Sequence, residues 1–194
     1  MRKTGMLLMI LGAVLVSAAL FLFVYNQWDA DRAGKQALQV VEQLKKELEE
    51  EDDPEPAYDG TMKVVTIDGQ DYIGYLSIPS IDLELPVMAE WSYPGLKIAP
   101  GRFYGSTYTQ DLVIAGHNYA RHFSPIKWLD VGVEVDFTDM NHQIWTYKVA
   151  SVETLQPTQV KDMVTASDTD QWDLTLFTCN KGGKTRCAVR CVEE

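Results

Sequence analysis

Three residues hold most of the chemical possibility in this chain. Cys179 closes the apolar run Leu174-Thr175-Leu176-Phe177-Thr178 and precedes Asn180-Lys181-Gly182-Gly183, so a strand ends there and opens into a turn. A thiol so placed can face solvent on a fixed backbone, and it acts as a nucleophile when a base or positive charge favours the thiolate. His117 occupies a matching place, after Leu112-Val113-Ile114-Ala115 and a glycine that permits close approach. Arg186 lies on the strand returning from the turn after Cys179. A tight hairpin through residues 180–184 sets it across from the thiol, where a guanidinium can stabilise an oxyanion or orient a peptide carbonyl. On position alone, Cys179 also reads as a small packing residue and His117 as a surface-loop histidine.

The other residues of these types fit quieter roles. His122 and His142 lie in more polar settings and are expected at the surface, with His122 the fallback base. Arg190 shares a strand face with Arg186 but sits deeper, which suits a structural charge. Cys187 and Cys191 fall on the opposite face and read as packing residues. A disulfide between them along one strand would exceed the ~7 Å Cα limit. No Cys-x-x-Cys pair and no histidine pair has ligand spacing, so no metal site is expected from these residues.

Such groups need a scaffold, and the pattern supplies strands. From residue 58 onward, short apolar or alternating runs are bounded by turn residues. They are Ile73-Gly74-Tyr75-Leu76-Ser77-Ile78, Ile81-Asp82-Leu83-Glu84-Leu85, residues 112–115, Val133-Glu134-Val135-Asp136-Phe137, residues 143–155, residues 174–177 and residues 185–192. Many short strands with little helix predict an all-β barrel or sandwich. One internal helix is expected over residues 123–129, where Ser124-Pro125 supplies a start signal.

Residues 4–28 carry no charge, and residues 5–25 are almost wholly apolar, long enough to span a bilayer as a helix. Val16-Ser17-Ala18 would serve as a signal-cleavage site, yet the apolar run continues through Ala19-Leu20-Phe21-Leu22-Phe23-Val24-Tyr25, longer than a signal core. An uncleaved anchor is therefore expected. Arg2 and Lys3 precede it while Asp29 and Asp31 follow, which predicts a single-pass cell-membrane protein with a cytoplasmic N-terminus and an extracellular domain. Residues 29–51 read as a helical stalk with the stripe Leu38, Val41, Leu44 and Leu48, and Pro54 and Pro56 end it. The expected organisation is a tip and anchor over 1–28, an acidic stalk and linker over 29–57, and one folded domain over 58–194. Seventeen Lys and Arg stand against 28 Asp and Glu, a net charge of −11. Such a surface repels phosphate backbones, so nucleic acid is excluded as a partner.

In this order, the pieces resemble the sortase family of Gram-positive surface transpeptidases over roughly residues 72–192. Leu174-Thr175-Leu176-Phe177-Thr178-Cys179 followed by Arg186 is similar to the family's Thr-Leu-x-Thr-Cys…Arg signature. Ala115-Gly116-His117-Asn118 resembles its histidine loop, and Ile78-Pro79-Ser80-Ile81 with Leu85-Pro86-Val87 resembles its opening strand pair. The resemblance implies an eight-stranded sortase-type β-barrel with short helices, and catalysis by Cys179, His117 and Arg186. It further implies substrate contacts from Thr178 and Asn118 beside the nucleophile and base. Val160 and Met163 would add contacts in the segment where the family reads its sorting signal.

The activity implied is cleavage of a Leu-Pro-x-Thr-Gly-like signal on secreted proteins and transfer to a cell-wall precursor amine. A calcium site occurs in some relatives; Asp162, Asp168, Asp170 and Asp173 could form one, but none is expected. Pilus-building relatives carry an Asp-Pro-aromatic lid and a C-terminal membrane helix. Here Glu55 follows Asp53-Pro54 and no second apolar run precedes Glu194, so a housekeeping-like or class D-like enzyme is expected. The competing readings are a non-enzymatic anchored surface module and an L,D-transpeptidase-like wall enzyme. The latter family's Ser-His-Gly-Cys-x-Arg context differs from Phe177-Thr178-Cys179-Asn180.

Overall fold

The computed structural model describes residues 2–50, 61–164 and 171–194. Helix α1 (Arg2–Glu50) leads into nine strands among the described residues: β1 (Val65–Ile67), β2 (Gln70–Ile78), β3 (Leu83–Met88), β4 (Gly101–Tyr104), β5 (Leu112–Gly116), β6 (Glu134–Asp139), β7 (Ile144–Leu155), β8 (Leu174–Cys179) and β9 (Arg186–Glu193). Eight of them close in the order β2-β3-β4-β5-β8-β9-β7-β6, with β6 pairing back onto β2. β1 is a hairpin extension of β2. The pairs β3–β4 and β5–β8 are parallel. This is the expected eight-stranded, all-β barrel, and closure leaves it no open sheet edge except at the short β1 hairpin.

Two of the strands, β1 and β4, escaped the sequence reading because three or four residues are too few to show a period. The helix expected over 123–129 is a 3₁₀ turn, Pro125–Trp128. The strand expected from Ile81 begins at Leu83, because Pro79–Ile81 form another 3₁₀ turn capped by Asp82 in the left-handed region at φ 50°. A short helix, α2 (Val160–Val164), lies between β7 and β8.

Alternate residues of each strand point inward. Leu112 and Ile114 of β5, Leu174 and Leu176 of β8, and Cys187, Val189 and Cys191 of β9 belong to one buried core with Phe137 and Val149. Cys187 and Cys191 thus pack as expected, and all three cysteines are free thiols. Phe123 is fully buried and caps the core under Gly116. A Cβ on Gly116 would come within 2.2 Å of the Phe123 ring, so only glycine fits that contact.

Helix α1 changes partner partway along. Its first half is exposed and apolar, and it is the one helix among the described residues long and apolar enough to cross a membrane. Its second half packs on the barrel through Ala30, Ala33, Ala37, Val41 and Leu44. The expected stripe is therefore displaced: Val41 and Leu44 are buried, but Leu38 is 49% exposed and Leu48 only half-buried. The reason is close approach. Small residues at helical spacing bring the backbone against residues 117–122, and a Cβ on Gly34 would sit 2.6 Å from the Arg121 Cβ. Lys45 pairs with Glu84 at 2.6 Å near the far end. The stalk is thus part of the folded unit, while the linker around Pro54 and Pro56 lies outside the described residues.

His122 departs from expectation. It is completely buried beneath α1 rather than at the surface, and neither ring nitrogen makes a well-formed hydrogen bond among the described residues. Burial pushes its pKa from 6.5 down to about 4, with the Ala33 backbone pulling weakly the other way. A histidine buried neutral has this signature.

Two outcomes test this packing. Leu44→Ala should lower stability by ~3 kcal/mol, because its side chain is wholly buried, whereas Leu38→Ala should stay within about 0.5 kcal/mol. Thermal unfolding of both in detergent micelles measures the difference. His122 resists protonation when folded, so its contribution to stability is intact above pH 6.5 and falls away as the pH drops towards 4. The loss should approach ~3 kcal/mol and should be absent in His122→Leu, as read from denaturant unfolding at both pH limits.

Candidate active site

Period-two alternation decides which side chains meet outside the barrel wall. Leu112, Ile114 and Gly116 face inward on β5, so Val113, Ala115 and the next residue, His117, belong to the outer side. On β8 the outer set is Thr175, Phe177 and Cys179; on β9 it is Arg186, Ala188 and Arg190. β5 and β8 run parallel with Gly116 opposite Thr178, so both strands release their next residue, His117 and Cys179, at the same end of the barrel. β9 begins at that end, with Arg186 directly across from Cys179.

Thr178 locks this register. Its hydroxyl is buried and donates to the Gly116 carbonyl at 2.8 Å, between the histidine and cysteine positions. The turn after Cys179 is closed by Asn180, whose backbone amide and side-chain amide both donate to Thr185 at 2.9 Å. Gly182 and Gly183 both take positive φ, at 79° and 70°, which a side chain would oppose. The Arg186 guanidinium donates to the Gly183 and Thr185 carbonyls at 3.0 and 3.2 Å, which holds its stem beside the half-buried Cys179.

Cys179, Arg186, Thr178 and Phe177 form the floor of a cleft of about 260 Å³. One wall holds Trp91, Tyr93, Leu96 and Phe103; the other holds Pro157, Val160 and Met163. Trp91 packs on Phe103 at 5.2 Å between ring centroids, and Phe103 meets Phe177 edge-on at 5.1 Å. The aromatic wall was absent from the sequence reading. Its signal was Trp91-Ser92-Tyr93-Pro94-Gly95, two aromatics in a turn-rich segment where no strand needs them.

The remaining expected contacts divide. Val160 and Met163 do line the cleft. Thr178 borders it, but its hydroxyl is committed to Gly116. Asn118 is not a lining residue; its side-chain oxygen accepts from the Lys127 ammonium. Arg190 is 1% exposed and covered by α2. Its guanidinium donates to the Met163 carbonyl at 3.2 Å, the Thr175 hydroxyl at 3.0 Å and the Asp162 carbonyl, and lies 4.2 Å from the Trp172 ring centre. Arg190 therefore pins the segment that carries Val160 and Met163.

His117 is half-buried and stacks on Tyr119, ring centres 3.9 Å apart and planes within 22°. Burial, reinforced by the nearby Lys97 charge, lowers its pKa below the usual histidine value, and Asp29 opposes the shift. The neutral imidazole is thus its resting form near pH 7. Its Nδ1 is buried with no hydrogen-bond partner among the described residues. Among the described residues no three His, Cys, Asp or Glu side chains converge as a metal site. Asp162 accepts from Gln159 at 2.7 Å and Asp173 from the Glu193 amide at 2.7 Å, while Asp168 and Asp170 lie outside the described residues.

Known proteins resemble this chain in sequence and fold. The family model described as the sortase domain matches residues 76–194. Sortase A of Staphylococcus aureus (strain NCTC 8325 / PS 47) is 26% identical over 193 residues, covering 93% of this chain and 90% of that protein. The sortase D5 transpeptidase structure from Clostridium perfringens superposes with a TM-score of 0.63 at 19% identity, over 82% of this chain and 99% of that one. Sortase A from Corynebacterium diphtheriae gives a TM-score of 0.56 at 23% identity, over 64% of this chain and 61% of that one. The L,D-transpeptidase alternative falls with these matches. The family model spans more than half of the sequence and ends on the strand pair that sets Cys179 against Arg186, so this chain belongs to the sortase family of transpeptidases.

Proposed function

We propose that this protein is a membrane-anchored sortase that cleaves a Leu-Pro-x-Thr-Gly-like signal on secreted proteins and joins the new carboxyl end to a cell-wall amine. The observation that carries the reading is the meeting of Cys179, Arg186 and the strand end bearing His117 at one end of the barrel, over an apolar cleft. Cys179 is the nucleophile. As its sulfur bonds to the threonine carbonyl carbon, the thiol proton passes to neutral His117. Arg186 donates to the developing oxyanion. Collapse of the adduct breaks the peptide C–N bond, and the imidazolium returns its proton to the leaving amine, which leaves a thioester on Cys179. An incoming amine then attacks the thioester carbonyl and gives up a proton through His117. The C–S bond breaks, a new amide forms and the thiol is restored.

The cleft walls support the substrate class. Trp91, Phe103, Val160 and Met163 offer apolar surface suited to a leucine–proline pair, and Arg190 fixes one of the walls. The exposed apolar half of α1 supports anchoring, with Arg2 and Lys3 on the cytoplasmic side and the barrel outside.

Two measurements test the reading. Full-length protein in detergent micelles, given a panel of sorting-signal peptides and a small amine, should form the transpeptidation product and a mass-detectable acyl adduct on Cys179. Cys179→Ala should form neither while unfolding at the wild-type temperature; product from that variant, or none from wild type across the panel, rejects the assignment. The second concerns the arginines. Arg186→Lys should keep the fold and lose ~10²–10³ in turnover, because a point charge cannot replace the planar fork. Arg190→Lys should instead lower the unfolding temperature, since it gives up donors to two carbonyls and a hydroxyl. The reverse ranking would move the oxyanion role to Arg190.

A further inference from the structure

A histidine that exchanges protons at one ring nitrogen is usually oriented by a partner at the other. His117 has no such partner: its Nδ1 is buried and bonded to nothing among the described residues. What fixes the ring plane is the stack with Tyr119, at 3.9 Å and 22°. Tyr119 is tethered in turn, since its hydroxyl donates to Asp29 Oδ2 at 2.8 Å. Asp29 belongs to α1, in the first turn after the apolar segment. Its other oxygen is held by Arg32 at 2.7 Å, and Arg32 also donates to Gln36 at 3.0 Å. From Asp29, at the end of the candidate membrane span, the contacts reach the imidazole through Tyr119 alone.

We infer that Asp29 and Tyr119 are positioning residues for the His117 imidazole, so that the first extramembrane turn of α1 completes the active centre. The inference rests on the reading of His117 as the proton-transfer group. Tyr119 supplies the face against which the imidazole lies. Asp29 keeps the phenol from rotating away, and Arg32 keeps Asp29 in its rotamer. Nearby packing supports the same role. Gly34 admits the Arg121 side chain, Arg121 pairs with Asp31 at 3.2 Å, and His122 is buried beside the Ala33 backbone. The 117–122 loop is thereby docked on the helix through Tyr119, Arg121 and His122. No linker separates the apolar segment from this contact, because α1 is unbroken from Arg2 to Glu50.

The test uses the full-length chain in detergent micelles, with kcat and KM for peptide transfer read alongside the His117 resonance in protein carrying ¹³C-labelled histidine. Tyr119→Leu removes the stacked face and should cut kcat roughly 10- to 100-fold with KM little changed. Tyr119→Phe keeps the stack but loses the tether, and Asp29→Ala loses it from the other side; each should cost several-fold. Because they delete the same bond, the double variant should be no worse than either single one. Asp29→Asn retains an acceptor and should recover most of the loss. Lys45→Ala, which breaks the helix–barrel ion pair at the far end, should leave kcat unchanged.

The labelled His117 signal should lose its ring-current shift in Tyr119→Leu and move in Asp29→Ala, but not in Lys45→Ala. Additive losses, a Lys45→Ala effect as large as that of Asp29→Ala, or a His117 signal indifferent to Tyr119 would overturn the inference. If wild-type protein transfers no peptide, it is the proposed function that fails, and the resonance still decides whether Asp29 and Tyr119 hold the ring.

Discussion

The parallel pairing of β5 with β8 governs everything built on this barrel. Parallel neighbours end at the same edge of a sheet, so the residues that follow them emerge side by side. With Gly116 opposite Thr178, those residues are His117 and Cys179. A slip of one position would turn the thiol from the outer face into the core, where Leu174 and Leu176 now pack. The Thr178 hydroxyl on the Gly116 carbonyl reinforces the register at its last step. Gly116 also has to remain a glycine, since Phe123 closes the barrel end directly beneath it.

From that register the division of labour on β9 follows. Arg186 and Arg190 share the outer face, yet their surroundings differ completely. Arg186 stands at the strand start, tied to the turn carbonyls and open to the cleft. Arg190, four residues further along the same strand, is buried by α2. A buried guanidinium carries a large desolvation cost unless its donors are met. Backbone carbonyls of Asp162 and Met163, the Thr175 hydroxyl, Glu153 and the Trp172 ring together meet them. One arginine lines the cleft, and the other holds in place the segment that forms one of its walls.

The helix unites the candidate membrane span and the barrel in one rigid element. Small residues at Ala30, Ala33, Gly34 and Ala37 let it lie close to the histidine loop, and that closeness buries His122 and brings Asp29 to Tyr119. A bulkier stripe would have held the helix off and left the loop in water. The contact also ties the position of the cleft to the helix itself.

How much of this was readable without the fold depends on the range of the interaction. Strand periodicity, the apolar segment and the glycine-rich turn after Cys179 are local patterns, so the barrel class and the pairing of Arg186 across from Cys179 were legible in the chain. The displaced stripe on α1 was not. Leu38 has the hydropathy of a contact residue, but the face that packs was chosen by how near the backbone could come, a property of the opposing loop. Likewise His122 reads as polar by its neighbours and is buried only because a helix some ninety positions away covers it. Trp91, Tyr93 and Phe103 belong to a segment with little period of their own and become a wall only when β4 is laid beside β5. Composition and spacing determined which residues could do chemistry; tertiary packing decided which surfaces they face, because long-range close approach leaves no periodic trace in the sequence.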